Sequence, residues 1–141
     1  MGPVLMRLFL DANCIIYLHE GAPDLQLTIQ RRIAHLATAG SVQLLVSRLS
    51  LLECRVKPIR DSDRSTLAVY DRFFAADGLV VVELSPAVVE RATKLRASVG
   101  LRTPDALQMA CAIESCADLF LTGDKQLARC TEVAVEVIVV G

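Results

Sequence analysis

The sequence lacks tryptophan, long apolar runs and a recognisable secretion signal. Aromatic residues make up only 4% of its 141 residues, whereas 53% are hydrophobic, so aliphatic side chains must form most of the core. No apolar run reaches the roughly 18–20 residues that a membrane-spanning helix needs. The first six residues contain no basic segment followed by a long apolar one. We therefore expect a soluble, cytoplasmic protein that folds as one domain over residues 1–141, with no membrane partner.

The sequence also lacks the spacings that are typical of zinc sites and disulfide frameworks. Its five cysteines include no C-x-x-C pair, and their odd number favours reduced thiols in a chain without a secretion signal. The two histidines, His19 and His35, stand in no ligand-like spacing. Zinc is therefore not expected, and we interpret the cysteines as small buried apolar residues.

Short apolar segments alternate with amphipathic helical segments along the chain. We predict strands at residues 7–10, 43–46, 79–82, 119–121 and 135–140. We predict helices at residues 13–20, 24–38, 47–54 with a break near Pro58, 63–76, 85–99, 103–116 and 125–129. This alternation favours βαβ units, and hence an α/β fold with a parallel sheet and right-handed crossovers.

Four carboxylates occupy positions that can meet at one edge of such a sheet. Asp11 and Asp124 follow predicted strands, Asp105 begins an apolar helix, and Glu53 lies about two turns into the helix after the second strand. Ligands of open α/β sheets bind beyond the carboxyl ends of the strands. Oxygen ligands without His or Cys suit Mg²⁺ or Mn²⁺, and such a site supports hydrolysis of phosphodiester bonds. We therefore predict metal-binding and catalytic roles for all four carboxylates.

Each carboxylate also has a purely structural interpretation. Asp11 and Asp124 can cap the helices that follow them. Asp105 lies in a first helical turn, where the helix dipole favours negative charge. Glu53 can belong to a solvated helix face. The burial expected for the helix after Asp105 argues that this charge has a partner or a cation close by.

A set of basic residues surrounds and follows Glu53, including Arg48, Arg55 and Lys57. They can form a solvated connection, or they can contact phosphates beside the acidic site as RNA-binding residues. The whole chain has a net charge of −1. If the four carboxylates hold a metal, 16 − 4 leaves 12 acidic residues against 15 basic ones, a balance compatible with a polyanionic ligand.

Four short motifs, in this order and spacing, resemble those of the PIN-domain nucleases. They are Leu10-Asp11-Ala12-Asn13, Ser47 with Glu53 six positions later, Thr103-Pro104-Asp105-Ala106-Leu107, and Leu121-Thr122-Gly123-Asp124. The resemblance extends from Arg7 to Val139, and the chain length is similar to that of toxins from VapBC-type toxin–antitoxin pairs. It implies a three-layer α/β/α fold with a parallel sheet of about five strands in the order 3-2-1-4-5. It also implies Mg²⁺- or Mn²⁺-dependent endoribonuclease activity, a homodimer, and a cognate antitoxin that blocks the site.

One position departs from the family pattern. A Thr or Ser often follows the first aspartate of the family, whereas this sequence has Ala12. The sequence therefore lacks a hydroxyl that, at this position, tunes metal affinity in the family. Asn13 and Thr122 remain as predicted polar neighbours that support the two strand-end aspartates.

Other functions and two dimer faces remain open. The same chemistry can act on maturing RNA or structured DNA, or the chain can be a non-catalytic domain that binds RNA or protein. The four filled acidic positions argue against the non-catalytic alternative. A receiver-type or phosphatase domain needs a second acidic residue near Asp11, where the chain has Leu10 and Ala12. The predicted helices at residues 24–38 and 63–76 are candidate dimer faces.

Overall fold

A computed structural model describes residues 4–139, which form a five-stranded sheet. The strands are β1 (Val4–Leu10), β2 (Gly40–Ser47), β3 (Val80–Val82), β4 (Leu119–Thr122) and β5 (Ala134–Val137). Their order is β3-β2-β1-β4-β5, and every neighbouring pair is parallel. The strand order implied by the resemblance is therefore confirmed.

The helices cover both faces of this sheet. They are α1 (Ala12–Glu20), α2 (Pro23–Ala37), α3 (Arg48–Arg60), α4 (Arg64–Phe74), α5 (Pro86–Ser98) and α6 (Thr103–Glu114), with a short 3₁₀ helix at Lys125–Arg129. Alternate residues of a strand point to opposite faces. Accordingly, Leu8 and Leu10 pack with buried residues of α1 to α4, whereas Phe9 packs with those of α5 and α6. This arrangement confirms the predicted three-layer α/β/α architecture. Within residues 4–139, no helix combines the length and apolarity that crossing a bilayer requires.

Polar side chains cap the starts of three helices. Ser47 Oγ, Asp63 Oδ1 and Ser85 Oγ accept hydrogen bonds from backbone amides at the starts of α3, α4 and α5, at 3.1, 3.1 and 3.2 Å. Such caps satisfy amides that have no partner inside the helix. All five cysteines are free thiols. The interpretation of the cysteines as buried residues is correct for four of them and wrong for Cys116, which is exposed.

Other boundaries differ from the sequence prediction. The break expected near Pro58 is wrong, because α3 continues through Pro58 to Arg60. The proline lies near the end of the helix and its ring is buried, so packing offsets the lost backbone bond. Helix α6 ends at Glu114 and not at Cys116, whose φ of +58° is incompatible with a right-handed helix. The last strand ends at Val137, and residue 140 of the predicted strand lies outside the described residues.

Candidate functional site

Asp11 is a buried carboxylate at the point where β1 meets α1. Its Oδ1 accepts a hydrogen bond from Ala12 N at 2.8 Å, so the structural interpretation of this residue as a helix cap is confirmed. Its Oδ2 accepts bonds from Thr122 Oγ1 at 2.8 Å and from Asn13 Nδ2 at 3.2 Å. The residue is 5% exposed. Three donors thus hold one side chain in a fixed orientation.

The surroundings of Asp11 penalise its negative charge. The pKa of its carboxyl is raised from 3.8 to about 6. Burial is the main cause, the hydrogen bonds from Thr122 and Ala12 oppose the rise, and the charges of Asp105 and Glu53 add to it. The influence of Asp105 and Glu53 shows that both lie within electrostatic range of Asp11. Three of the predicted carboxylates therefore gather at one edge of the sheet.

Asn13 and Thr122 join the ends of β1 and β4. Thr122 Oγ1 donates to Asp11 and accepts from Asp124 N at 3.0 Å. Asn13 Oδ1 accepts from Gly123 N at 2.9 Å. Both residues therefore lie beside the strand-end aspartates. Thr122 also supplies Asp11 with a hydroxyl that Ala12 cannot provide.

Asp124 lies beyond the end of β4 and caps the 3₁₀ helix. Its Oδ1 accepts from Gln126 N at 2.9 Å, which is the structural interpretation that the sequence offered. Its connection to Asp11 runs through Thr122, by way of the Asp124 backbone amide. The Asp124 carboxylate is thus engaged with its own helix start.

Asp105 lies in the first turn of α6 and pairs with a neighbouring arginine. Arg102 Nε donates to Asp105 Oδ2 at 3.2 Å. The Asp105 side chain is 15% exposed, whereas that of Arg102 is 79% exposed. A partner expected near this charge is therefore present, but it is solvated and can move away with little loss of packing.

Glu53 is held by a residue that the sequence analysis missed. Gln108 Nε2 donates to Glu53 Oε1 at 2.9 Å, which links α6 to α3. Gln108 is a polar residue on an otherwise apolar buried helix, three positions after Asp105. Residues three positions apart lie on one face of a helix, so this spacing could have identified Gln108 from the sequence as a neighbour of the acidic site.

The four carboxylates do not form a closed set of metal ligands. Within residues 4–139, no three Asp, Glu, His or Cys side chains lie close enough together to hold one ion. Asp105, Asp124 and Glu53 each contact another group. The donor types still fit a hard divalent cation, because they are all carboxylate oxygens. A cation would also offset the burial and the repulsion that oppose the charge of Asp11.

The three basic residues near Glu53 have different surroundings. Arg48 donates two hydrogen bonds to Glu83, at 3.0 and 2.6 Å. Arg55 Nε is 3.4 Å from Asp71 Oδ1, within ion-pair range, although the N–H is not aligned for a hydrogen bond. Lys57 forms no ion pair within the described part of the chain. It lies one turn after Glu53, beside a hollow of about 330 Å³ that Tyr17 and Glu20 also line.

The opposite side of α3 carries exposed apolar side chains. Leu52, Val56 and Ile59 are 59%, 53% and 56% exposed, and they line a groove of about 630 Å³. Ion pairs border this groove: Arg48 with Glu83, Arg55 with Asp71, and Arg60 with Asp61 at 3.1 Å. The positive charges around the groove are therefore balanced.

The fold and the motifs at the sheet edge define a PIN domain, and the chain belongs to the PIN domain family, whose model matches residues 8–133. VapBC2 from Rickettsia felis, solved on a DNA fragment from its promoter, is similar with a TM-score of 0.75 and 18% identity. The alignment covers 94% of this chain and 98% of that one. VapC20 from Mycobacterium tuberculosis, described as a Sarcin-Ricin loop cleaving toxin, is similar with a TM-score of 0.67 and 13% identity, covering 86% and 92%.

A toxin–antitoxin complex from Klebsiella pneumoniae is also similar, with a TM-score of 0.66 and 20% identity over 90% of this chain and 95% of that one. At these identities the likeness shows a shared fold. No curated protein matches the sequence.

Proposed function

We propose that this PIN domain is a metal-dependent endoribonuclease and the toxin of a toxin–antitoxin pair. The observation that carries the proposal is Asp11, a buried carboxylate with a pKa of about 6 within electrostatic range of Asp105 and Glu53. Such a site lies at the carboxyl edge of the sheet, where ligands of α/β folds bind. The toxin structures that share the fold support this assignment.

Asp11 and Asp105 are the proposed direct ligands of Mg²⁺ or Mn²⁺, and Glu53 and Asp124 complete the acidic site. A bound divalent ion supplies positive charge to the phosphate and lowers the pKa of water. Thr122, Asn13 and the Ala12 amide keep Asp11 oriented before substrate arrives. Asp105 would hold the ion in place of its present contact with Arg102, and Arg102 would then be available to contact the substrate backbone.

The proposed substrate is a single-stranded region of RNA. Unpaired bases can be splayed and read, whereas an A-form duplex hides its base edges. Lys57 lies beside the hollow next to Glu53 and is the proposed phosphate contact. Water is the proposed nucleophile, so the products carry 5′-phosphate and 3′-hydroxyl ends.

The test is cleavage of a structured RNA with single-stranded loops by the purified protein without antitoxin. Cleavage in loops that depends on Mn²⁺, stops with chelator and leaves 5′-phosphates is the expected result. Cleavage that survives chelation, or products with cyclic 2′,3′-phosphates, contradicts the proposal. Cleavage of structured DNA in preference to RNA assigns the alternative substrate. Mn²⁺-dependent binding of RNA without cleavage assigns a non-catalytic domain.

We propose that the cognate antitoxin covers the hollow beside Glu53. The toxin–antitoxin complexes among the structural relatives support a protein partner. The hollow combines apolar walls from Ile16, Tyr17 and Leu25 with the carboxylates Glu20 and Glu53, so it suits an apolar segment that carries a basic residue. Since Lys57 lines the same hollow, antitoxin and RNA compete for it. Competition binding with a labelled RNA measures this directly.

We propose that a homodimer forms through the apolar groove on α3. The two faces favoured by the sequence are less suitable, because Leu27 on α2 is the one large apolar side chain exposed on α2 and α4 within the described residues. The balanced charges around the α3 groove allow two copies to meet without like-charge repulsion. Light scattering is expected to show a dimer that Val56→Asp converts to monomer. Leu27→Asp is the matched control, and a dimer that survives Val56→Asp but not Leu27→Asp assigns the interface to α2.

A further inference from the structure

Gln108 is the centre of a buried polar network between α3 and α6. It is 1% exposed and lies among the apolar residues of α6 that pack against the sheet. Its Oε1 accepts from Ser47 Oγ at 2.8 Å, and its Nε2 donates to Ser50 Oγ and to Glu53 Oε1, both at 2.9 Å. Every polar atom of the amide is therefore in use.

The two serines fix which way the amide points. Ser47 Oγ accepts from Ser50 N at 3.1 Å, so its own proton is available for Gln108 Oε1. Ser50 Oγ lies 3.3 Å from Ser47 Oγ and can donate to it while accepting from Gln108. A flipped amide turns its carbonyl towards the Glu53 carboxylate, which leaves two acceptors facing each other. The network therefore holds the N–H groups of Gln108 towards Glu53.

The position of Gln108 on α6 gives this contact a consequence for the acidic site. Asp105 and Gln108 are three residues apart and lie on one face of the helix. Anchoring Glu53 Oε1 on Gln108 therefore keeps that carboxylate within about one turn of Asp105. Its other oxygen, Oε2, makes no hydrogen bond within residues 4–139. A free glutamate side chain has many rotamers, and fixing them in advance lowers the cost of binding an ion.

We propose that Gln108 is a positioning residue of the acidic site, which acts by holding Glu53 on the face of α6 that carries Asp105. The inference rests on the proposed function, since it concerns the same site. Loss of an outer partner of this kind commonly weakens metal binding about 10–100-fold. Gln108→Met keeps length and flexibility while it removes both ends of the amide. We expect Gln108→Met to weaken metal binding only because Glu53 is no longer held in place. The loss of affinity should therefore vanish when the Glu53 carboxylate is replaced by a neutral amide.

The test is a double-mutant cycle of Gln108→Met and Glu53→Gln, with Mn²⁺ affinity measured by calorimetry and melting temperature measured without metal. We expect Gln108→Met to weaken Mn²⁺ binding about 10–100-fold in the wild-type background, and less than about twofold in the Glu53→Gln background. Ser50→Ala, which removes a partner of Gln108 but not the bond to Glu53, is expected to show a smaller loss of affinity.

Three outcomes overturn the inference in distinguishable ways. Unchanged Mn²⁺ affinity in Gln108→Met, with a lower melting temperature, makes Gln108 a packing residue. Equal losses of affinity in both backgrounds indicate general damage to the helix pair. A wild-type protein that binds no Mn²⁺ and cleaves no RNA overturns the proposed function as well, even if Gln108 and Glu53 remain coupled in melting temperature.

Discussion

Asp11 and Asp124 have the same local role but different surroundings. Each follows a strand of the sheet and caps the helix that begins next. Asp11 is buried under three hydrogen bonds, and its charge is opposed by burial and by two nearby carboxylates. Asp124 is partly exposed and its carboxylate accepts from the start of a short 3₁₀ helix. A cap explains the position of both residues, but it does not explain the burial of Asp11.

A helix cap and an ion site require different properties of a side chain. A helix start is satisfied by Asn as well as by Asp, because one side-chain oxygen suffices. Burying a full negative charge beside two others brings no benefit to the cap and costs stability. The negative charge of Asp11 is therefore more than a helix cap requires, and this is the feature of the structure that favours a bound cation. Asp→Asn substitutions test this at both positions, since they keep the cap and remove the charge.

The largest expected effect is the loss of nuclease activity in Asp11→Asn. We expect a decrease of about a thousandfold or more, roughly 4 kcal/mol in the barrier, because the proposed central ligand loses its charge. Asp124→Asn is expected to lose about 10–100-fold, in line with a supporting position. Cleavage rates at saturating Mn²⁺ measure both. Equal losses of activity in Asp11→Asn and Asp124→Asn would contradict the different roles proposed for the two residues.

The second prediction concerns the pH dependence of stability without metal. The pKa of Asp11 is raised in the folded state from 3.8 to about 6, so its stabilising contribution is complete below pH 3.8 and is lost as pH rises through 6. A shift of this size corresponds to about 3 kcal/mol at neutral pH. The free energy of unfolding of wild type relative to Asp11→Asn should therefore fall by up to about 3 kcal/mol between about pH 3 and pH 7.

Urea unfolding at a series of pH values measures this difference. Asp11→Asn should be the more stable protein at neutral pH by on the order of 1 kcal/mol, because the amide also loses part of the hydrogen bonding that Asp11 receives. It should gain less stability than wild type from added Mn²⁺. Asp124→Asn controls for removal of one carboxylate at this edge. The same gain in both variants would assign the effect to overall charge.

The sequence predicted where the residues of the acidic site lie more accurately than it predicted which side chains they contact. Strand ends, capping residues and the Asp11 and Thr122 neighbourhood follow from local patterns, and the motifs implied the strand order. The role of Gln108, the pairing of Asp105 with Arg102 and the buried ring of Pro58 were missed. The role of Gln108 and the burial of Pro58 depend on which helix packs alongside, and this is decided by the tertiary fold. Arg102 and Asp105 are only three residues apart, so their pairing was accessible from a short window of sequence.

A third prediction tests the hydroxyl that joins the two strand ends. Thr122→Val keeps the shape of a buried side chain but removes a donor to Asp11 and an acceptor for Asp124 N. We expect a loss of about 1–3 kcal/mol in the free energy of unfolding at neutral pH. The pKa of Asp11 should rise further, because the Thr122 hydrogen bond lowers it. Thr122→Ser should restore most of the stability, and failure of this rescue would assign the loss to packing of the methyl group.

The smallest expected effect concerns two positively charged side chains, Arg55 and Lys57. They are close in sequence but differ in their surroundings. Arg55 lies beside Asp71, whereas Lys57 faces the hollow next to Glu53. Each phosphate contact to a single strand contributes about 0.7 to the slope of log affinity against log salt concentration. Lys57→Ala should therefore reduce that slope by about 0.7 for a single-stranded RNA, and Arg55→Ala should leave it near the wild-type value. Fluorescence anisotropy across a salt series, with the Asp11→Asn background preventing cleavage, measures both slopes. A larger change for Arg55→Ala would mean that RNA displaces Asp71 from the arginine, and the RNA path would then run across the outer side of α3.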